Sequence, residues 1–228
     1  MTTDTLGFIR KRTKLERLIR KPIFWVLFCS LSIALPVIKT INRELPPELP
    51  VLFDVPEFNL TNQYGKPFGS KDLKGKIYLA NFLFTTCPST CPALVNQLKV
   101  VQKRVRGLGQ KVAIVSFTVD PKHDTPEVLK KYAKKNRTNP FVWSWLTGEI
   151  PELKKLLIGG YKVPMGDGEN FEGKVDGEDV SLWDIAHTNK IVLVDVAGRI
   201  RGYYGTDLDG VNKLMIDLGL LANRTFNP

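Results

Sequence analysis

The chain is 228 residues long and 43% hydrophobic, enough for one well-buried domain and an appendage, and its three cysteines are too few for a disulfide scaffold. The net charge of +10 is unevenly spread. Residues 1–21 hold seven basic side chains against Asp4 and Glu16, and with no basic and aromatic stripe elsewhere the composition excludes nucleic acid as a partner.

The basic stretch, from Arg10 to Lys21, runs into an uncharged segment of 17 residues, Pro22 to Ile38. That is the short end of the length that spans a bilayer. Basic residues stay on the cytoplasmic side, so 1–21 reads as a cytoplasmic tail and 22–38 as a transmembrane anchor. A cleaved signal peptide is the rival reading, but Ser32-Ile33-Ala34 is a weak small-x-small match, and a retained anchor is preferred. Cys29 follows Phe28 rather than a small residue, which argues against lipid attachment. Residues 39–51 form a linker in which Pro46, Pro47 and Pro50 forbid regular helix. With no Arg/Ser-rich, acid-poor transit peptide ahead of the anchor, a bacterial inner membrane with the soluble domain in the periplasm is preferred over the mitochondrial inner membrane.

The soluble domain, 52–228, opens with short strands at Phe58 to Thr61 and from Phe68. Ile77 to Phe84 is nearly continuous in apolar residues and predicts a central strand buried on both faces. A helix follows from Pro92, with Leu94, Val95, Leu98, Val101 and Val105 at helical spacing, and Gly107 and Gly109 end it. Lys111 to Val119 is a second buried strand, closing in the loop Asp120-Pro121-Lys122-His123-Asp124-Thr125-Pro126. Thr125 caps the next helix, Pro126 takes its first position, and Val128, Leu129 and Tyr132 are its apolar stripe. Trp143 to Leu146 alternates like a half-buried strand, and Pro151 opens a short helix ending at Gly159-Gly160.

From Pro164 to Asp184 the composition turns to Gly and acid, reading as a surface flap. Ile191 to Val196 and Arg199 to Tyr204 then make a hairpin about Ala197-Gly198. The last helix starts at Asp207 or Asp209 with the stripe Val211, Leu214, Met215, Leu218 and Leu221. This order predicts an α/β domain, a central sheet with helices on both faces and a right-handed first crossover, which is the thioredoxin-like order.

One stretch carries the chemistry. The central strand delivers Cys87-Pro88-Ser89-Thr90-Cys91-Pro92 to a helix start, at the end of a parallel strand where open α/β sheets put their sites. Cys91 falls at or near the N-cap and Cys87 in the loop just before it, where backbone N–H groups and the helix dipole favour a thiolate. Two close thiols serve either a reversible disulfide or a soft metal; a buried structural pair is the bland alternative.

Three segments in order, Phe84-Thr85-x-Cys87-Pro-x-x-Cys91-Pro, Val119-Asp120-Pro121-x-x-Asp124-Thr125-Pro126 and Ala186-His187-Thr188 before an apolar strand, resemble the SCO1/SenC family of copper-binding proteins. The likeness runs over roughly 58–222. It implies a membrane-tethered, thioredoxin-fold protein that binds one copper ion, Cu(I) or Cu(II), through Cys87, Cys91 and His187. It also implies partners: the CuA subunit of cytochrome c oxidase, to which copper is delivered or whose thiols are kept reduced, and other copper chaperones. In the family the Asp-Pro loop lies near the metal, so the resemblance implies a role for Asp120, and after it Asp124, in orienting a ligand from behind. Read without it, both are turn and cap residues, and His123 is an exposed loop residue.

The residues agree with the resemblance. Two thiolates and an imidazole form a soft, low-coordination set suited to copper; by ligand type zinc with a water is the alternative. A thiol–disulfide oxidoreductase on the same fold is the competing function, but reductases usually place two residues between their cysteines and a cis-proline where Ala186-His187 stands. A peroxiredoxin would set a Thr three positions before its reactive cysteine, which neither Cys87 nor Cys91 has. No turnover chemistry is demanded by the sequence.

Overall fold

The computed structural model describes residues 21–41, 46–87, 90–162, 172–175, 178–181 and 190–226. It divides into Met1–Pro47 and Glu48–Pro228. In the first unit, helix α1 (Pro22–Ile41) leaves Ile23, Trp25, Leu27, Phe28 and Leu31 each at least half exposed. Its serines bond backward, Ser30 Oγ donating to the Leu27 carbonyl at 3.0 Å and Ser32 Oγ to that of Phe28 at 2.7 Å. Among the described residues no helix is long and apolar enough to cross a membrane.

In the second unit an eight-stranded mixed sheet is built around β4 (Ile77–Leu83), β5 (Val112–Thr118) and β6 (Trp143–Thr147). These three are parallel neighbours, Ile77 opposite Val112 and Ile114 opposite Trp143. Helix α2 (Thr90–Arg104) joins β4 to β5, and α3 (Pro126–Lys135) joins β5 to β6. Two successive crossovers of one hand, advancing in one direction, must lie on the same face. Leu94, Val95 and Leu98 of α2 and Leu129 of α3 accordingly share one core with the last helix, α5 (Leu208–Phe226), through Val211, Leu214 and Leu218.

The opposite face is covered by the turn Ser70–Leu73, by α4 (Ile150–Lys154) with its continuation to Gly160, and by the strand-poor segment that includes Val55 and Phe58. Helices do stand on both faces, but unequally. The N-terminal segment supplies both sheet edges. Strand β1 (Phe53–Asp54) pairs with β10 (Arg199–Tyr204), whereas β2 (Asn59–Asn62) reaches β6 and carries β3 (Pro67–Gly69). The β6 strand is therefore an inner strand, and the half-buried reading of Trp143 to Leu146 is corrected: Trp143, Trp145 and Leu146 are all fully buried. Trp143 is tolerated there because its indole N–H donates to Ser116 Oγ at 2.8 Å, and Ser116 in turn donates to Asn81 Oδ1 at 2.8 Å.

Within the acid-rich stretch 164–184, the described residues form a separate two-stranded ribbon, β7 (Glu172–Val175) with β8 (Glu178–Ser181). Strand β9 (Ile191–Val194) runs antiparallel to β4 and forms the expected hairpin with β10, whose turn uses Gly198 at φ +80°.

Candidate metal and dithiol centre

Strand β4 ends at Leu83, and a tight turn follows in which the Cys87 N–H donates to the Phe84 carbonyl at 3.3 Å. Helix α2 begins at Thr90, so Cys91 occupies its first turn, next to the helix start as expected. Pro92 still falls among the first positions, whose N–H groups have no intrahelical partner, and its missing donor costs nothing. The Cys91 N–H points at Cys87 Sγ at 3.4 Å. One orphan donor of the helix start thus stabilises negative charge on the first sulfur. Both side chains lie in the large core, Cys87 9% and Cys91 3% exposed, and they are thiols, not a disulfide. Soft donors therefore meet a helix N-terminus, whose N–H groups oppose the cost that burial places on a charged sulfur.

The loop carrying Cys87 is tied down from behind by Asp124. This carboxylate is fully buried and accepts the Thr85 N–H at 3.1 Å, the Thr85 hydroxyl, and the Thr118 hydroxyl at 2.6 Å. The Thr118 proton is directed there because its oxygen already accepts the Asp120 N–H at 3.0 Å. Register makes the junction: Thr118 stands opposite Leu83, at the point where β4 gives way to the cysteine loop. Three donors thus converge on its two oxygens, whose lone pairs can accept them all.

Asp120 behaves differently. Its Oδ2 meets His123 Nδ1 at 2.6 Å, with side-chain exposures of 31% and 70%. Of the two aspartates, Asp124 is the one that bonds to the cysteine loop, through Thr85. His123 is exposed as expected. Tyr132, read from sequence as part of an apolar stripe, packs against the core containing both cysteines. Its phenol is pushed up first by burial, then by the charges of Cys91, Cys87 and Asp124 facing it.

His187 and Asp184 lie outside the described residues. Among the described residues no group of three His, Cys, Asp or Glu is placed to hold a metal ion. Sequence reading quoted Thr85 within the cysteine motif without a role, and missed Thr118 and Tyr132 as members of this site. Local sequence carries no signal for Thr118, whose connection to the loop runs through strand register; Tyr132 was visible but its stripe reading accounted for it.

Comparison with known proteins gives one consistent result. The SCO1/SenC family matches residues 53–215. A SCO1 protein homologue of Bacillus subtilis is 29% identical over 171 residues, covering 74% of this chain and 83% of its own. The structure of Bradyrhizobium japonicum ScoI with copper bound superposes with a TM-score of 0.57 at 29% identity, over 74% of this chain and 99% of that one. A structure describing a disulfide switch in BsSco, a member of the Sco family of cytochrome c oxidase assembly proteins, gives a TM-score of 0.61 at 26% identity, over 78% and 98%.

Proposed function

The chain belongs to the SCO1/SenC family, and we propose that it binds one copper ion through Cys87, Cys91 and His187 and delivers it to the CuA site of cytochrome c oxidase. The observation that carries this reading is the dithiol itself: Cys87 Sγ accepts the Cys91 N–H at 3.4 Å, at the start of the helix that carries the second cysteine. Two thiolates suit Cu(I), and an added imidazole suits Cu(II). Support for His187 comes from topology. Strand β9 runs antiparallel to β4, so it begins at the end of the sheet where β4 releases Cys87, and His187 precedes Ile191 by four residues. Copper-bound ScoI of Bradyrhizobium japonicum supports copper as the cargo. Asp124 holds the Cys87 loop from behind, and Asp120 lies beside it.

A second reading rests on the same pair and on the disulfide switch of the related BsSco. Cys87 and Cys91 would pass two electrons and two protons to a partner disulfide, becoming a disulfide themselves and leaving the CuA cysteines reduced. The test is His187→Ala in the purified soluble domain. A copper carrier loses most Cu(II) affinity and keeps most Cu(I) affinity, while disulfide exchange is unchanged. Unaltered Cu(II) binding removes the histidine and leaves the dithiol reading.

The membrane setting is part of the proposal. Helix α1 carries uncharged, exposed side chains over 22–38 behind the basic tail, and its serine hydroxyls are satisfied within the helix. Phe24, Trp25 and Phe28 cluster at its N-terminal end, the position of an interfacial aromatic belt. The apolar run reaches about 25 Å at 1.5 Å per residue, against roughly 30 Å of hydrocarbon, so anchoring relies on that belt and the flanking lysines. The soluble domain then faces the periplasm of a bacterial inner membrane. A reporter active only in the periplasm, fused after Pro228, is expected to be active; activity of a cytoplasmic reporter there instead refutes the orientation.

A further inference from the structure

The parallel strands begin side by side, Ile77 opposite Val112 and Ile114 opposite Trp143. The segments leading into β5 and β6, with the last turns of α2 and α3, therefore share one end of the domain. It is the end opposite the one where β4 releases Cys87. This end is basic: Lys103, Arg106, Lys111, Lys134, Lys135 and Arg137 are all exposed. No acidic residue occurs from Lys99 to Val119 or from Val128 to Gly148 to offset them.

Among these cations stands Phe141, 82% exposed. Its loop is built rather than slack. The Phe141 N–H donates to Asn139 Oδ1 at 3.1 Å, the Trp143 N–H to the Asn139 carbonyl at 2.9 Å, and the Asn139 N–H to Gln102 Oε1 of α2 at 2.8 Å. An aromatic ring is thus held out into solvent between two basic helix ends. The domain's first residues arrive nearby: Glu48 pairs with Arg224 at 3.7 Å, and two residues on, the Phe226 ring lies under Lys111 Nζ at 4.9 Å.

We propose that this basic end docks on an anionic lipid bilayer, with Phe141 entering the headgroup layer and the surrounding lysines and arginines facing lipid phosphates. Cations alone would suit any polyanion. A rigidly presented aromatic among them suits an interface that is charged outside and apolar just beneath, where amphipathic rings settle. The geometry has a functional consequence. The seven-residue β4 strand puts the dithiol about 23 Å further from the lipid surface, aimed away from it at whatever partner projects from the same membrane.

The biological setting rests on the anchored reading of α1, but the test does not use α1. Both hydrophobic cores lie within residues 48–228, so that domain folds on its own. The copper-free domain is sedimented with phosphatidylcholine vesicles with and without phosphatidylglycerol, at low and at physiological salt. Binding is expected only to the anionic vesicles and weaker at the higher salt. The K134Q/K135Q/R137Q variant is expected to bind at least about tenfold more weakly, and Phe141→Ser several-fold more weakly, whereas Lys122→Gln, exposed at the dithiol end, binds normally. Equal binding to neutral vesicles, no binding at all, or indifference to the triple substitution overturns the proposal. So does binding to soluble polyglutamate as tight as to vesicles with Phe141→Ser unchanged, which would make the surface a site for an acidic protein. Failure of the anchor shows in the reporter fusion instead, and failure of the copper reading in the metal titration.

Discussion

Removing the Asp124 carboxylate is the sharpest test of how the cysteine loop is held. Asp124→Ala deletes the acceptor of the Thr85 N–H, the Thr85 hydroxyl and the Thr118 hydroxyl together, in a fully buried position. The two hydroxyls can rotate toward other acceptors; the backbone N–H cannot. Hydrogen bonds to a charged group contribute about 1.5–3 kcal/mol each, and an abandoned buried donor costs about 1–3 kcal/mol. After relaxation the expected loss is about 3–5 kcal/mol. Asp124→Asn keeps the shape but turns one oxygen into a donor facing a donor, so about 1–3 kcal/mol is expected. Urea unfolding of the soluble domain, followed by the fluorescence of buried Trp143 and Trp145, measures both. Asp120→Asn is the control, since that carboxylate bonds an exposed histidine, and a change within about 0.5 kcal/mol is expected. The functional companion is thiol reactivity: freeing Thr85, two residues before Cys87, should speed alkylation of Cys87 in the native Asn variant. A loss below about 1 kcal/mol for the alanine variant, with alkylation unchanged, refutes the claim that this carboxylate fixes the loop.

Air oxidation of the metal-free domain is expected to consume both Cys87 and Cys91 in one intramolecular disulfide, counted as loss of two titratable thiols; two thiols persisting would mean the pair cannot close. Cys87→Ser or Cys91→Ser is expected to remove copper binding of either valence, read by metal content after dialysis. Alkaline stability gives a pH prediction. The Tyr78, Tyr161 and Tyr203 phenols are all pushed up by burial, and Tyr78 and Tyr161 share a 3.0 Å hydrogen bond. Their contribution is present in full below the ordinary tyrosine value near 10 and is lost as pH rises above it, because the unfolded chain ionises first. Ultraviolet titration is therefore expected to show these phenols ionising only with unfolding, and the midpoint in urea to fall above about pH 10; ionisation without unfolding contradicts the buried cluster.

Much of the fold was legible because it is written in local patterns. The apolar run from Ile77 and the Thr125-Pro126 start each specify their element through neighbours in sequence, and Thr125 Oγ1 does accept the Val128 N–H at 3.4 Å. What local pattern could not reveal is what depends on strand order. Trp143 to Leu146 alternates as an edge strand would, yet β2 covers it, because residues 53–69 cross from one edge of the sheet to the other. Similarly, Asp120 and Asp124 are indistinguishable as turn residues. Only the pairing of Leu83 with Thr118 decides that Asp124 is the one inside.

That pairing also explains why the dithiol sits where it does. A cysteine pair at a helix start is common chemistry, but its geometry is only as fixed as the loop before it. Here the loop leaves a strand buried on both faces, is pinned at Thr85 two residues later, and leads to the helix that begins at Thr90. The pin comes from the adjacent crossover, whose own start is set by the Thr125 cap. The two helix starts are thereby coupled through one buried carboxylate, and each would loosen if the other frayed. His187 lies outside the described residues, in the stretch of sequence that leads into β9, the neighbour of β4 on the side away from β5. On the proposed reading, His187 would complete a soft donor set begun by a thiol pair whose loop is pinned on the β5 side of β4.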